Sequence, residues 1–484
     1  EDFSEVRSVV PWGWNPALRK RLLSLSQTRS RSAAFFANAT YSYKGRYTVN
    51  GTARYEGTNR MGKSRSARWL PTWNVSGAWN AHEEKFFSNL TSVLSHFTLK
   101  ASYSLTADRG PADVTNSQAI ITSYSPYRPF TSIQESGLYI KELENSELTY
   151  EKKHELNIGA DMGFLNNRIN LAVDWYKRNN YDLIGIVNTQ GAGGQILKYA
   201  NIASMKSHGI EFTLSTKNIK TKDFNWNTDF IFSNAKNEVT DLKQNANVME
   251  LISGNGFAKQ GYPVRGLFSI PFVGLDKDGI PVIINEKGEA TSTDINFQER
   301  QNTGFLKYEG PTDPTITGSL GNMFSYKGFR LNLFITYSFG NVIRLNPVFK
   351  AYYSDLTAMT REFKNRWTLP GDEAKTNVPA ILSKRMYDSN EDLKYAYNAY
   401  NYSTERIAKG DFIRLKEISL AYDFPKAWIN PLKLTDLSLK VQATNLFLIY
   451  ADDKLNGQDP EFFNAGGVAS PVPRQFTITL RLGL

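Results

Sequence analysis

The residues best suited to chemistry are few and scattered. The chain holds four histidines, His82, His96, His154 and His208, and no cysteine. No nucleophile motif surrounds any of the four, and without thiols there are neither disulfides nor thiolate metal sites. Asp276-Lys277-Asp278-Gly279 faintly resembles a calcium loop. It lacks a third acidic ligand and a distal glutamate at the required spacing, so it reads as a hairpin turn. Asn285-Glu286-Lys287-Gly288 reads as a second one. Gly191 to Gly194 is followed by neither Lys-Ser/Thr nor a helix, which removes the phosphate-cradle reading. The expectation is a protein with no enzymatic activity, no metal and no cofactor. Recognition chemistry is better represented. Tyr352, Tyr353, Tyr395, Tyr397, Tyr400 and Tyr402 fall in one segment. An aromatic face with a polar tip suits stacking on sugars or contact with another protein. Packing within the segment is the plainer role for any single one.

The elements that position these residues are strands. In Leu437–Thr444, Leu437, Leu439, Val441 and Ala443 alternate with Ser438, Lys440, Gln442 and Thr444. Strict alternation marks a strand with two unlike faces. The same pattern puts Phe35, Ala37, Ala39, Tyr41 and Tyr43 on one face, and then Val49, Gly51 and Ala53 after the turn at Lys44-Gly45. It continues through Leu99 and Tyr103, through Ile158 and Met162, and through Leu171, Val173 and Trp175. Leu331, Ile335 and Tyr337 follow, and Phe476, Ile478 and Leu480 end the series. Between Leu415 and Ile418 the apolar phase passes from odd to even numbers, which predicts a β-bulge near Lys416-Glu417. The count is about thirteen strands of ~10 residues, the length that crosses a membrane as a tilted strand.

An antiparallel sheet with these faces fits either a soluble sandwich or a transmembrane barrel, and two features favour the barrel. Short turns (44–45, 166–167, 327–328) alternate with long loops (108–150, 182–203, 237–313, 341–410, 451–472), as in outer-membrane barrels. The apolar faces also avoid lysine and arginine although the chain has 57 of them; a basic residue facing mid-membrane lipid costs about 2–4 kcal/mol. Aromatic residues make up 13% of the chain, enough to furnish girdles at two interfaces. No apolar run is long enough for a transmembrane helix. The net charge of +10 is spread rather than clustered, so no nucleic-acid partner is expected. The chain opens EDFSEVRSVV, without an initiating methionine or a signal-peptide pattern, and the odd strand count leaves one edge without a partner. Both features predict a piece of something longer: residues 1–33 as a loop leading in, and 34–484 as the barrel portion.

Several segments, in order, resemble the SusC/RagA-like family of TonB-dependent outer-membrane transporters. They are YSYKGRYTVNGTARYEGTNRMG at 41–62, RWLPTWNVSGAWNAHEEKFF at 68–87 and LTYEKKHELNIGADMGFLNNRINLAVDWY at 148–176. SHGIEFTLS at 207–215, GFRLNLFITYSFGN at 328–341, RWTLPGD at 366–372 and GDFIRLKEISLAYDFP at 410–425 continue the series, which ends with NLF at 445–447 and DPE at 459–461. The resemblance implies an all-β transmembrane antiparallel barrel, here the C-terminal portion of about 22 strands around a plugged lumen. It implies an outer-membrane location and energised import of oligosaccharides or peptides. It also implies a SusD-like surface lipoprotein over the mouth, and the TonB-ExbB-ExbD system engaged through the missing N-terminal part. The plug and TonB box are absent from this stretch, and Leu484 stands where the family usually ends in Phe. The tyrosines named above become candidate contacts with substrate or lid. The other reading is a barrel that serves as a structural scaffold in an outer-membrane complex without active transport.

Overall fold

The computed structural model describes residues 30–110, 119–124, 136–191, 197–347, 349–350, 353, 359–462 and 473–483. Thirteen strands form one antiparallel sheet in strictly sequential order. They are β1 (Ser32–Tyr43), β2 (Tyr47–Thr58), β3 (Trp69–Asn80), β4 (Leu94–Asp108), β5 (Glu151–Phe164), β6 (Ile169–Asn188) and β7 (Leu197–Lys220). β8 (Phe224–Leu242), β9 (Ile316–Tyr326), β10 (Phe329–Phe339), β11 (Phe412–Asp423), β12 (Asp436–Ala451) and β13 (Gln475–Gly483) complete it. Among the described residues, no ladder joins β1 to β13, so the wall is open.

Register keeps one face apolar across the whole wall. Val49 lies opposite Gly77, Gly77 opposite Ala101, Ala101 opposite Ile158, and Ile158 opposite Trp175. Val173 meets Phe212, Phe212 meets Phe232, Leu320 meets Ile335, and Leu331 meets Leu420. Leu420 then meets Val441, which meets Ile478. These side chains are covered only by their neighbours on the same face: Val49 is 54% exposed, Leu420 47% and Ile478 73%. The buried apolar clusters consist almost entirely of residues from the loops and strand ends. Leu331, Ile335 and Val173 belong to none of them. A sheet that leaves so wide an apolar face uncovered needs a non-aqueous medium against it. No helix among the described residues is long and apolar enough to cross a membrane.

Aromatic rings gather at both margins of this band. At the short-turn end Trp79 lies 6.5 Å from Phe86, Trp226 5.6 Å from Phe324, and Phe329 4.4 Å from Tyr422. At the other end Tyr55 stacks on Trp69 at 5.1 Å and Trp73 meets Tyr103 edge-on at 5.4 Å. The short turns use the expected residues. Lys44 and Gly45, and likewise Lys327 and Gly328, all have positive φ, as a type I′ hairpin turn requires. The bulge falls where the phase change predicts: Phe334 pairs with Glu417 and Ile335 with Leu415, leaving Lys416 as the extra residue.

Three expectations need correction. β6, β7 and β8 run to 20, 24 and 19 residues, about twice what a membrane crossing needs. The loop expected at 182–203 is therefore mostly strand. The register shift on β6 between Asn180 and Ile184 breaks the alternation there and hides the continuation from a periodicity reading. The polar segment 108–150 contains a hairpin of Ile120–Tyr124 with Gly137–Glu142. The loops expected at 237–313 and 341–410 are folded bodies with their own apolar cores. Their residues are interspersed with turns, and their contacts are distant in sequence, so no period announces them. Most of the expected lead-in loop and Leu484 lie outside the described residues.

Candidate functional site

The face opposite the apolar band is polar and mixed in charge. Lys100 pairs with Asp161 at 2.7 Å and Arg178 with Glu155 at 3.1 Å. Asp174 sits opposite Gly159 and Glu211, and Arg54 pairs with Glu56 at 2.5 Å. Alternation puts these groups there: all but Arg178 lie one residue away from an apolar neighbour, and Arg178 keeps the same phase as Asp174. The result is a polar wall on which Lys100–Asp161 and Arg178–Glu155 pair between adjacent strands.

Above the long-loop end, the segments 243–315 and 340–411 fold together. Val248, Leu251, Ile252, Phe268, Ile270, Ile283 and Ala399 form one buried cluster. Ile280, Phe349, Leu382, Leu393, Ala396, Tyr397 and Tyr400 form a second, and Phe272 packs against both. Backbone hydrogen bonds stitch the two segments: Ile270 N donates to Tyr402 O and Thr404 N to Ile270 O, both at 3.0 Å, and Ala380 N donates to Gly279 O at 3.0 Å. Arg344 is 4% exposed and donates to Phe268 O, Ser269 Oγ and Ser403 O. Burial draws its guanidinium down to about 9, which leaves it charged at neutral pH. Arg406, 2% exposed, pairs with Glu362 at 2.6 Å and lies over the Phe349 ring. A third buried arginine, Arg414 on β11, donates through Nη2 to both carboxylate oxygens of Asp459, at 2.5 and 2.6 Å. Glu461 lies 3.3 Å from its Nε, close enough for an ion pair, though that nitrogen makes no hydrogen bond.

The turn residues have structural roles. Asp276 Oδ1 accepts from Asp278 N and Ile280 N, both at 2.9 Å. Asn285 Oδ1 repeats the arrangement with Lys287 N and Glu289 N. Both side chains hold hairpin turns, and the described residues contain no group of three or more potential metal ligands. Of the three glycines in the Gly191–Gly194 run, Gly193 and Gly194 lie outside the described residues. His82 and His96 stand with ring centroids 4.1 Å apart near the short turns, and His154 stacks on Tyr103 and Tyr181.

The structure divides the tyrosine cluster. Tyr397 and Tyr400 are 1% and 2% exposed. The Tyr397 hydroxyl donates to Ala380 O at 2.6 Å, and Tyr400 meets Phe349 and Phe272 edge-on. Burial pushes both hydroxyls upward. These two build the core of the body; Tyr397 also borders the cavity described below. Tyr395 is exposed, Tyr402 half-buried with Arg344 over its ring. The hydroxyl of Tyr353 accepts from Lys350 N at 2.7 Å, and burial pushes it up to about 12. Tyr352 lies outside the described residues. The helix Leu393–Asn401 explains the division: it buries Leu393, Ala396, Tyr397 and Tyr400 and exposes Lys394, Tyr395 and Asn398. That exposed face lines a cavity of about 650 Å³ with Pro347, Phe349, Lys350, Tyr387 and Tyr402. The two lysines escaped the sequence reading; the helical spacing of the apolar residues between 393 and 400 was the available signal.

A family model described as TonB dependent receptor-like, beta-barrel, matches residues 7–446. The chain belongs to this family. It is 26% identical over 484 residues to the TonB-dependent receptor SusC of Bacteroides thetaiotaomicron, covering 94% of this chain and 44% of that protein. It is 25% identical over 446 residues to a TonB-dependent receptor of Formosa agariphila, covering 88% of this chain and 41% of that one. Among solved structures, the RagAB peptide transporter superposes with a TM-score of 0.74 at 23% identity, over 95% of this chain and 49% of its own. The chain thus spans less than half the length of these relatives. The outer-membrane barrel wall and the SusC/RagA likeness stand on these matches together with the two-faced sheet, and the long-loop end is the extracellular one.

Proposed function

We propose that the complete protein imports oligosaccharides or peptides across the outer membrane, driven by TonB-ExbB-ExbD and working beneath a SusD-like surface lipoprotein. The observation that carries this reading is the two-faced wall: an unbroken apolar band over thirteen strands with a charged, hydrated face behind it, in a chain matched to this receptor family. Lipid meets the band, and polar cargo passes the charged face. The extracellular body supports the partner part of the proposal. It is a compact unit fixed to the rim, offering a rigid surface to a lid, with Tyr353, Tyr395 and Tyr402 as the candidate contacts for lid or cargo. Among the solved neighbours, RagAB is a peptide transporter, which keeps peptides beside oligosaccharides as cargo.

The test is uptake. Cells lacking the gene are expected to lose growth on one nutrient class, and cells lacking TonB to lose it as well. Uptake that continues undiminished without TonB would overturn the mechanism. Unchanged uptake after deletion, with the protein isolated in a stable outer-membrane assembly, would turn the reading to a scaffold.

A further inference from the structure

The structure's cavities differ in how their charges are balanced. The one bounded by Arg54 and Arg109 also holds Glu56 and Asp108. The one at Lys100 holds Asp174, the one at Lys416 holds Glu461, and the most apolar one sets Glu250 against Arg300. The cavity on the extracellular body differs from these four. Lys350 and Lys394 line it, and no carboxylate of the described residues does. Both lysines are exposed, and neither has an acidic partner among the described residues.

The walls are fixed in place before any ligand arrives. The buried Asn401 amide accepts from Phe349 N at 3.1 Å and donates to Phe349 O at 2.7 Å. Tyr400 and Arg406 pack on the Phe349 ring. One wall is therefore held to the other by two hydrogen bonds and a ring contact. On this frame Tyr395 shows 38% of its surface, with the Lys394 ammonium 5.3 Å from the ring centre. Asn398 follows one turn later on the same helix face. Tyr387 and Tyr402 add aromatic surface, and the volume of about 650 Å³ falls in the range of ligand sites.

We propose that this groove binds an anionic saccharide, one carrying carboxylate or sulfate groups, and so narrows the cargo of the importer proposed above, on which this inference rests. Aromatic faces with polar rims accept the apolar face of a sugar ring. An amide side chain supplies both donor and acceptor for hydroxyls. Two unneutralised ammonium groups supply the charge that a neutral sugar leaves unmet. A peptide is served less well. The groove is lined by a helix face and a non-strand segment, with no free strand edge for main-chain pairing and no continuous apolar trough.

Binding to the complete protein, purified from the outer membrane in mild detergent, tests this by calorimetry. The probes are trigalacturonate, its fully methyl-esterified form, a sulfated galactose trisaccharide and an acidic hexapeptide. Trigalacturonate or the sulfated trimer should bind, the ester should bind at least about tenfold more weakly, and raised salt should weaken the anionic ligands alone. Lys394→Gln and Lys350→Gln should each cost about tenfold with the thermal midpoint unchanged. Lys394→Arg should retain most of the affinity, and Tyr395→Ala should weaken both the acid and the ester. Equal binding of acid and ester, indifference to both lysine changes, or a hexapeptide that competes on equal terms would each overturn the proposal. TonB-dependent uptake of a neutral glycan or a peptide in the same cells would leave the importer reading standing while this inference fell.

Discussion

Two carboxylates show what single residues hold in place: Asp459 ties the loop after β12 to the wall, and Asp372 closes a turn. Arg414 and Asp459 come from two separate sequence motifs, at 410–425 and 459–461, and meet in a buried pair of which Arg414 is 4% exposed. Removing one partner strands the other charge without water, at a cost of about 3–5 kcal/mol. Arg414→Leu should therefore lower the thermal midpoint of the complete protein sharply, and Arg414→Leu with Asp459→Leu should recover much of the loss. Full additivity of the two changes would sink the argument. Asp372 closes the RWTLPGD turn: its Oδ2 accepts from Thr368 N, Thr368 Oγ1 and Leu369 N. These donors, led by Leu369 N, hold its carboxyl at about 2, below the ordinary 3.8. A depressed carboxyl binds its proton less readily when folded, so its contribution is present above pH ~4 and is lost as pH falls toward ~2. The protection of the Thr368 and Leu369 amides against hydrogen exchange, taken relative to the intrinsic rate at each pH, should fall over that window. In Asp372→Asn it should be low already and unchanged by that acidification.

At the scale of the strand, face is everything. Val173 lies on the apolar band between Ala160 and Phe212, whereas its neighbour Ala172 lies between Asp161 and Thr213. Val173→Lys should cost about 2–4 kcal/mol of barrel stability in lipid vesicles, and Ala172→Lys little. Equal costs would mean that both faces meet the same medium. The bulge on β11 gives a sharper test. Lys416 is the extra residue against β10, so deleting it leaves Leu415 and Ile418 on the apolar face with regular alternation between them. Deleting Ser419 instead brings Ile418 and Leu420 together, and one half of the strand must turn over. The first deletion should preserve heat-modifiable migration of the complete protein on gels, and the second should abolish it.

For the whole molecule the decisive fact is the open wall. Among the described residues β1 pairs only with β2 and β13 only with β12, so each outer edge presents there a row of backbone groups without a strand partner. In lipid every such group costs several kcal/mol. Residues 1–484 expressed alone in the presence of lipid vesicles should fail to reach a protease-resistant barrel; a compact, heat-modifiable species would show that the edges find each other. The extracellular body should behave differently, because its clusters are satisfied within segments 243–315 and 340–411.

Alternation carried most of the wall: the strands, their faces, the bulge at Lys416 and the unequal loop lengths all follow from a period of two, which is local and survives in a single sequence. Much of the polar side of the wall was readable too, since Arg54, Lys100, Asp161, Asp174 and Glu211 each sit one step from an apolar residue. What tertiary structure alone decided lies where contacts join distant residues. The extensions of β6 to β8 past irregular pairing, the shared core of two loops that sequence shows only as long and polar, and the burial of Tyr397 and Tyr400 beside an exposed Tyr395 all depend on which segment packs against which. The groove between Lys350 and Lys394 has the same origin: its two charges stand 44 positions apart in the chain, and the hydrogen bonds between Phe349 and Asn401, with the Phe349–Tyr400 ring contact, set their walls face to face.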